Sequence, residues 1–181
     1  TMQGFKYISS LVTEFFDDET VQDRLYCIKE KDIKGWELWL HIELAIFLNN
    51  HESSPVHSRE ERILFDRRRE RERSFMRPDF IIQNPNQGLG RMILEIKQGR
   101  SINECINSMW GDLKKVAAAK QSHAKMESFW LLGIFPVEDG WSKHKLSREV
   151  NQAIQECGGL ADPNLKNCSR IGNTGMGYVL F

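Results

Sequence analysis

Asp79, Glu95 and Lys97 carry charge at the ends of apolar runs, where a buried strand would hold uncharged side chains. The run "RMILEIKQGR" (91–100) is the clearest case. Side chains alternate across a strand, so Glu95 and Lys97 share a face with Ile93, while Leu94 and Ile96 point the other way, into a core. The stretch "NPNQGLG" (84–90) has turn chemistry. A hairpin through it sets Asp79, at the start of "RPDFIIQ" (77–83), beside the end of the run 91–97. Two carboxylates about one strand spacing (~5 Å) apart can share a divalent cation, and the backbone carbonyl of Ile96 can add a third oxygen. Lys97 then stands where it can orient and polarise a water. Without a cation the two carboxylates repel each other. With Mg²⁺ or Mn²⁺ they form a Lewis-acid site suited to phosphodiester hydrolysis. The plain alternatives are a strand-end salt bridge for Glu95 and Lys97, and a turn role for Asp79.

A third carboxylate decides between these readings. In "KGWELWLHIELAIFLNN" (34–50), a helix, Glu43 interrupts the face formed by Trp36, Trp39, Leu40, Ile46 and Phe47. A carboxylate on an apolar face is costly unless it meets a cation. Glu43 is therefore expected to join the metal ligands. Glu37, at the margin of that face, is the weaker competitor.

These residues need positioning elements, and the rest of the sequence supplies them. Residues 4–16 read as a first helix, within an N-terminal helical segment 1–33. "HESSPVHS" (51–58) reads as a loop and "RILFD" (62–66) as a strand, followed by the charged connection "RRRERER" (67–73). Ser101 and Glu104 have the spacing of a capping box opening a helix to about 122. "SFWLLGIFP" (128–136) reads as a buried strand, 143–157 as a helix, and "GYVLF" (177–181) as a closing strand. The expectation is an α/β fold: a mixed central sheet flanked by helices, built as a single unit over 1–181 with its core at 36–135 and a C-terminal helix and strand at 143–181.

Arg77-Pro78-Asp79 followed by Glu95-Ile96-Lys97 resembles the PD-(D/E)XK nuclease superfamily, and the element order is similar to its αβββαβ restriction-endonuclease-like core. The resemblance covers about 36–135. It implies Glu43 as the helix carboxylate, Asp79 and Glu95 as metal ligands and Lys97 as the catalytic lysine. It also implies a Mg²⁺- or Mn²⁺-dependent endonuclease acting on DNA in preference to RNA, of toxin, phage or defence type. The alternative is a non-catalytic nucleic-acid or partner-binding module that keeps the fold.

Composition agrees with a globular chain: 181 residues, 40% hydrophobic, 28% charged and no net charge. The charge is segregated, however. Residues 1–58 hold 5 Lys/Arg against 10 Asp/Glu, and residues 59–125 hold 15 against 9. A basic middle that contains the odd strand suits a phosphate-facing surface. Arg67, Arg68, Arg69, Arg100, Lys114 and Lys115 are the candidate nucleic-acid contacts, each with a solvated charge as its plain alternative. The acidic segment 1–35 could dock an inhibitor protein or a second copy of the chain. The histidines show no HExxH spacing, and no Walker loop or GxSxG elbow is present. Four scattered cysteines read as reduced thiols, and no apolar stretch is long enough to span a bilayer, so a cytoplasmic protein without membrane partners is expected.

Overall fold

The structure, a computed structural model, describes residues 2–61, 63–64, 75–119 and 128–181. The elements run α1 (Met2–Asp17), α2 (Glu19–Glu30), α3 (Glu37–Asn50), β1 (Val56–Arg59), β2 (Ile63–Leu64), β3 (Phe75–Met76), β4 (Phe80–Asn84), β5 (Leu89–Gln98), α4 (Ile102–Ala119), β6 (Ser128–Pro136), α5 (Lys143–Glu156), β7 (Asn167–Arg170) and β8 (Met176–Leu180). Six strands form one sheet in the order β1-β4-β5-β6-β8-β7. The β5–β6 pair is parallel and the other four pairings are antiparallel, so this is an α/β fold on a mixed sheet. Among the described residues, β2 and β3 pair with each other in a separate two-stranded ribbon.

Alternation along the strands builds two cores. Met92, Leu94 and Ile96 of β5 join Trp130, Leu132 and Ile134 of β6 under α1, α2 and α3. Ile93 joins Phe129 and Leu131 under α4 and α5. Glu95 and Lys97 have the parity of Ile93 and so lie on the α4 face of β5.

Two glycines let α4 settle against that face. A Cβ on Gly133 would lie 2.5 Å from Met109 Sδ and 2.8 Å from Cys105 Sγ; one on Gly99 would lie 2.6 Å from the Cys105 backbone nitrogen. The helix can approach this closely only because both side chains are absent. Its start is capped as the sequence suggests on one side only. The Glu104 amide donates to Ser101 Oγ at 3.2 Å, but the Glu104 carboxylate accepts from Arg100 Nε at 3.1 Å.

The sheet departs from the expected strands at its edges. The run 62–66, expected as the first strand of the meander, contributes β2 to the separate ribbon. The place beside β4 is taken by β1, inside the stretch expected to be a loop. β1 (Val-His-Ser-Arg) and β7 (Asn-Cys-Ser-Arg) are both short, polar edge strands. Edge strands of this kind carry little apolar alternation for a pattern to reveal, and their polarity discourages pairing with other chains. The N-terminal segment is helical as expected, and a second helix follows the first after Asp18, whose carboxylate accepts from the Val21 amide at 3.1 Å. No described helix is long and apolar enough to cross a membrane.

Candidate active site

Asp79 stands in the bend immediately before β4, and Glu95, Ile96 and Lys97 lie near the end of β5. The β4–β5 ladder aligns Phe80 with Leu94, so the next step brings Asp79 opposite Glu95. β4 has ended there, which leaves the Ile96 amide without a ladder partner on that side. Asp79 takes its place: Asp79 Oδ2 accepts from the Ile96 amide at 2.7 Å. An extended residue projects its N–H and C=O toward the same edge, so the Ile96 carbonyl also faces the Asp79 side. The Asp79 amide makes a long contact of 3.4 Å to Glu95 Oε2.

Lys97 Nζ bridges two carboxylates, Glu95 Oε1 at 3.1 Å and Asp112 Oδ2 of α4 at 3.0 Å. The side chains are largely shielded: Asp79 is 17% exposed, Glu95 16% and Lys97 23%. Burial raises the pKa of Asp79 against the opposing effects of the Ile96 hydrogen bond and Lys97. Burial and then the Asp79 charge raise that of Glu95. Burial alone would lower the pKa of Lys97, but Glu95 and Asp112 together outweigh it and hold the ammonium well above its ordinary value. Glu95 does not recover from Lys97 what burial and Asp79 cost it, so its ionised form is held at a cost that a bound cation would relieve. Such a pair of carboxylates favours a cation.

α3 brings a further group. His41 is buried, with its ring edge-on to Phe80, and its Nε2 lies 4.0 Å from Asp79 Oδ2 without a hydrogen-bond partner. Its other nitrogen, Nδ1, lies 3.4 Å from Arg59 Nη2. Burial lowers the pKa of His41, which favours the neutral imidazole. Arg59 can only donate, so in this contact Nδ1 accepts and the ring proton sits on Nε2, toward Asp79; Nε2 offers a lone pair only in the other tautomer, with Nδ1 released from Arg59. Glu37, one turn earlier, accepts from Gln98 Nε2 at 3.4 Å and is close enough to raise the pKa of Asp79. Glu60 acts on Asp79 in the same direction; its amide donates to the Pro78 carbonyl at 3.1 Å from a left-handed backbone (φ 51°).

Glu43 is not brought to this site. It pairs with Arg24 of α2 and accepts from Trp39 Nε1 at 3.1 Å. The residues of α3 that face the sheet are Leu40, His41, Leu44 and Leu48, whereas Leu38, Ile42 and Ile46 are exposed. At about 100° per residue, Glu37 lies roughly 40° from His41 around the helix and Glu43 roughly 160°. The expected apolar face holds in part: Leu40 is buried and Trp36, Trp39 and Phe47 pack against the core, but Ile46 is exposed and Glu43 turns to Arg24. α3 is apolar on nearly every side, so periodicity cannot select its most buried face. Glu37 is the helix carboxylate that the fold presents to Asp79. Exchanging each for glutamine separates them. Glu37→Gln should weaken Mn²⁺ binding several-fold in calorimetry, while Glu43→Gln should leave it unchanged and lower Tm by no more than about 2–4 °C, the scale of a partly exposed ion pair. Weaker binding in Glu43→Gln alone would reverse the assignment.

Among the described residues, no three His, Cys, Asp or Glu side chains are already assembled into a metal cage. Asp79 is engaged by Ile96 and Glu95 by Lys97, so a cation would have to draw these oxygens from existing partners. The donor chemistry still fits a hard divalent ion: two carboxylates of raised pKa, a facing carbonyl, and a buried imidazole whose Nε2 can ligate once the ring proton moves to Nδ1 and Arg59 is released. Cys105, packed under Lys97, is not a competing nucleophile. Burial pushes its pKa up to about 12, and its Sγ contacts the Lys97 carbonyl at 3.6 Å.

Of the candidate nucleic-acid contacts, Arg100 is 85% exposed and pairs with Glu104, and Lys114 is exposed on α4. Lys115 lies on α4, but its side chain is outside the described residues, as are Arg67, Arg68 and Arg69. His41, Asp112 and Glu60 were not singled out from sequence. The signal for His41 was its spacing of four from Glu37; Asp112 stands beside Leu113 on the apolar stripe of its helix.

No protein-family model matches the chain, and neither a curated protein nor a solved structure does.

Proposed function

We propose that the chain is a metal-dependent nuclease of the restriction-endonuclease-like type, hydrolysing phosphodiester bonds with DNA preferred over RNA. The observation that carries the reading is the convergence of Asp79, Glu95 and Lys97 where β4 ends beside β5, with α3 presenting His41 and Glu37. The resemblance of Pro78-Asp79 and Glu95-Ile96-Lys97 to the PD-(D/E)XK pattern supports it, as does the helix, three-strand meander (β1, β4, β5), helix, strand order of the sheet's first half.

Asp79, Glu95 and the Ile96 carbonyl would hold Mg²⁺ or Mn²⁺, with Glu37 as an outer carboxylate and His41 as a nitrogen donor in the tautomer that carries its proton on Nδ1, released from Arg59. When bound, the ion supplies charge for the phosphoryl oxygens and makes water a better nucleophile. The protein's own groups do the rest. Lys97 holds a water by hydrogen bond and offsets negative charge as it grows on the phosphate. Asp79 fixes the strand end through Ile96, so that Glu95 and Lys97 keep their register. Exposed Arg100 and Lys114 would meet backbone phosphates, a sequence-independent contribution that weakens as salt rises.

Incubation with plasmid, linear DNA and RNA, each with Mg²⁺, Mn²⁺ or EDTA, tests the reading. Cleavage that needs the metal is expected. Metal binding without cleavage of any substrate would favour a non-catalytic nucleic-acid or partner-binding module. The imidazole has its own readout: pulsed electron paramagnetic resonance of bound Mn²⁺ should show ¹⁴N coupling in the wild type that disappears in His41→Gln, with affinity lowered at least about tenfold. A spectrum without ¹⁴N coupling in the wild type would remove His41 from the ligands and leave the carboxylates in place.

A further inference from the structure

We propose that Asp112 is a positioning residue that retains the Lys97 ammonium when Glu95 turns to a metal, so that one carboxylate is released without losing the lysine. The inference rests on the metal-dependent reading above and adds to it a residue from a different element. Lys97 Nζ stands between Glu95 Oε1 at 3.1 Å and Asp112 Oδ2 at 3.0 Å. An ammonium held by Glu95 alone would compete with a cation for the same oxygen. Once displaced, it would be a positive charge beside a dication with nothing to hold it. Asp112 changes both states. It shares the ammonium before metal binds, and it remains as counter-ion afterwards.

The fold secures this contact. Asp112 lies one turn beyond Met109 on α4, and Met109 and Cys105 press into the space left by Gly133 and Gly99. That close approach sets Asp112 across from the α4 face of β5, where Lys97 points. The Asp112 side chain is only 19% exposed, so its pairing with Lys97 is less screened than a surface salt bridge.

A double-mutant cycle read by calorimetry with Mn²⁺, without substrate, tests the inference. Asp112→Asn should weaken Mn²⁺ binding about tenfold when Lys97 is present, and by a clearly smaller factor in the Lys97→Ala background. Asp112→Glu keeps the charge on a side chain one methylene longer and should restore most of the affinity. In cleavage at saturating metal, Asp112→Asn should lower kcat with KM for DNA unchanged, and should add no loss to Lys97→Ala. An equal loss of Mn²⁺ affinity in both backgrounds would overturn the proposal, because Asp112 would then act by its own field rather than through Lys97. A further drop in kcat on top of Lys97→Ala would also overturn it. If Asp112→Asn fails to fold, Asp112→Ser and Asp112→Glu complete the same cycle. Should the wild type bind no Mn²⁺, the metal-dependent reading itself fails; a wild type that binds Mn²⁺ with zero coupling between Asp112 and Lys97 removes Asp112 alone.

Discussion

Lys97→Ala should bind Mn²⁺ at least as tightly as the wild type and cleave about 10²–10³-fold more slowly, the usual cost of removing one donor aimed at developing negative charge. The two effects have opposite signs because of what Lys97 touches. Its ammonium occupies Glu95 Oε1 at 3.1 Å, so its removal frees an oxygen for the cation and takes away a nearby positive charge. The same removal leaves the attacking water and the phosphate without a partner. Folding should be little affected, because Ile96 and Leu94, on the opposite face of β5, carry the packing there. Lys97→Arg should recover only part of the rate, since a planar fork cannot reproduce a point donor held between Glu95 and Asp112. Full activity in Lys97→Ala would reduce the lysine to a strand-end charge. Loss of Mn²⁺ binding in the same variant would mean that it supports the fold of the site rather than its chemistry.

The strand part of this site was legible in the sequence and the helix part was not. Period-two alternation in 91–97 fixes the faces of Glu95 and Lys97, because a one-residue slip would turn both charges into the core that Leu94 and Ile96 fill. The turn chemistry of 84–90 then sets Asp79 beside them. α3 offers no such constraint. Trp36, Leu38, Trp39, Leu40, Ile42, Leu44, Ile46 and Phe47 spread apolar surface all round the helix, and only tertiary packing decides that Leu40, Leu44 and Leu48 face the sheet. Glu43 looked buried because its neighbours are apolar. In the fold it is held by Arg24 from α2, a partner 19 residues away that no local pattern connects to it. Asp112 was hidden for a related reason: its role depends on how closely α4 approaches β5, and that distance is set by two glycines from separate segments. The edge strands β1 and β7 escaped because polar residues that protect an edge also erase its alternation.

Removing the proposed metal ligands should produce the second large effect, and its pH dependence has a definite sign. Asp79→Ala should lower Mn²⁺ affinity at least about a hundredfold, since even groups that merely support a ligand are worth about 10–100-fold. It should also cost stability, because the Ile96 amide loses its acceptor. Glu95→Gln should behave differently. The pKa of Glu95 is raised in the folded state, first by burial and then by Asp79, even with Lys97 beside it. In the window between the ordinary glutamate value, about 4.3, and the raised folded value, the native state therefore binds more protons than the unfolded chain. Wild-type stability without metal thus contains a contribution that is present below that window and lost as pH rises through it. The neutral amide of Glu95→Gln has no such term. At neutral pH and without metal the variant should melt at or above the wild-type temperature, and the gap should close on acidification. Added Mn²⁺ should stabilise the wild type and not the variant, by the mass action of a ligand that binds only the native state. Mn²⁺ affinity of the wild type should itself rise through the same window, as protons stop competing for the carboxylates. Thermal melts at a series of pH values, with and without Mn²⁺, decide the matter. If Glu95→Gln melts well below the wild type without metal and gains equally from Mn²⁺, then Glu95 is a structural partner of Lys97 and the cation lies elsewhere.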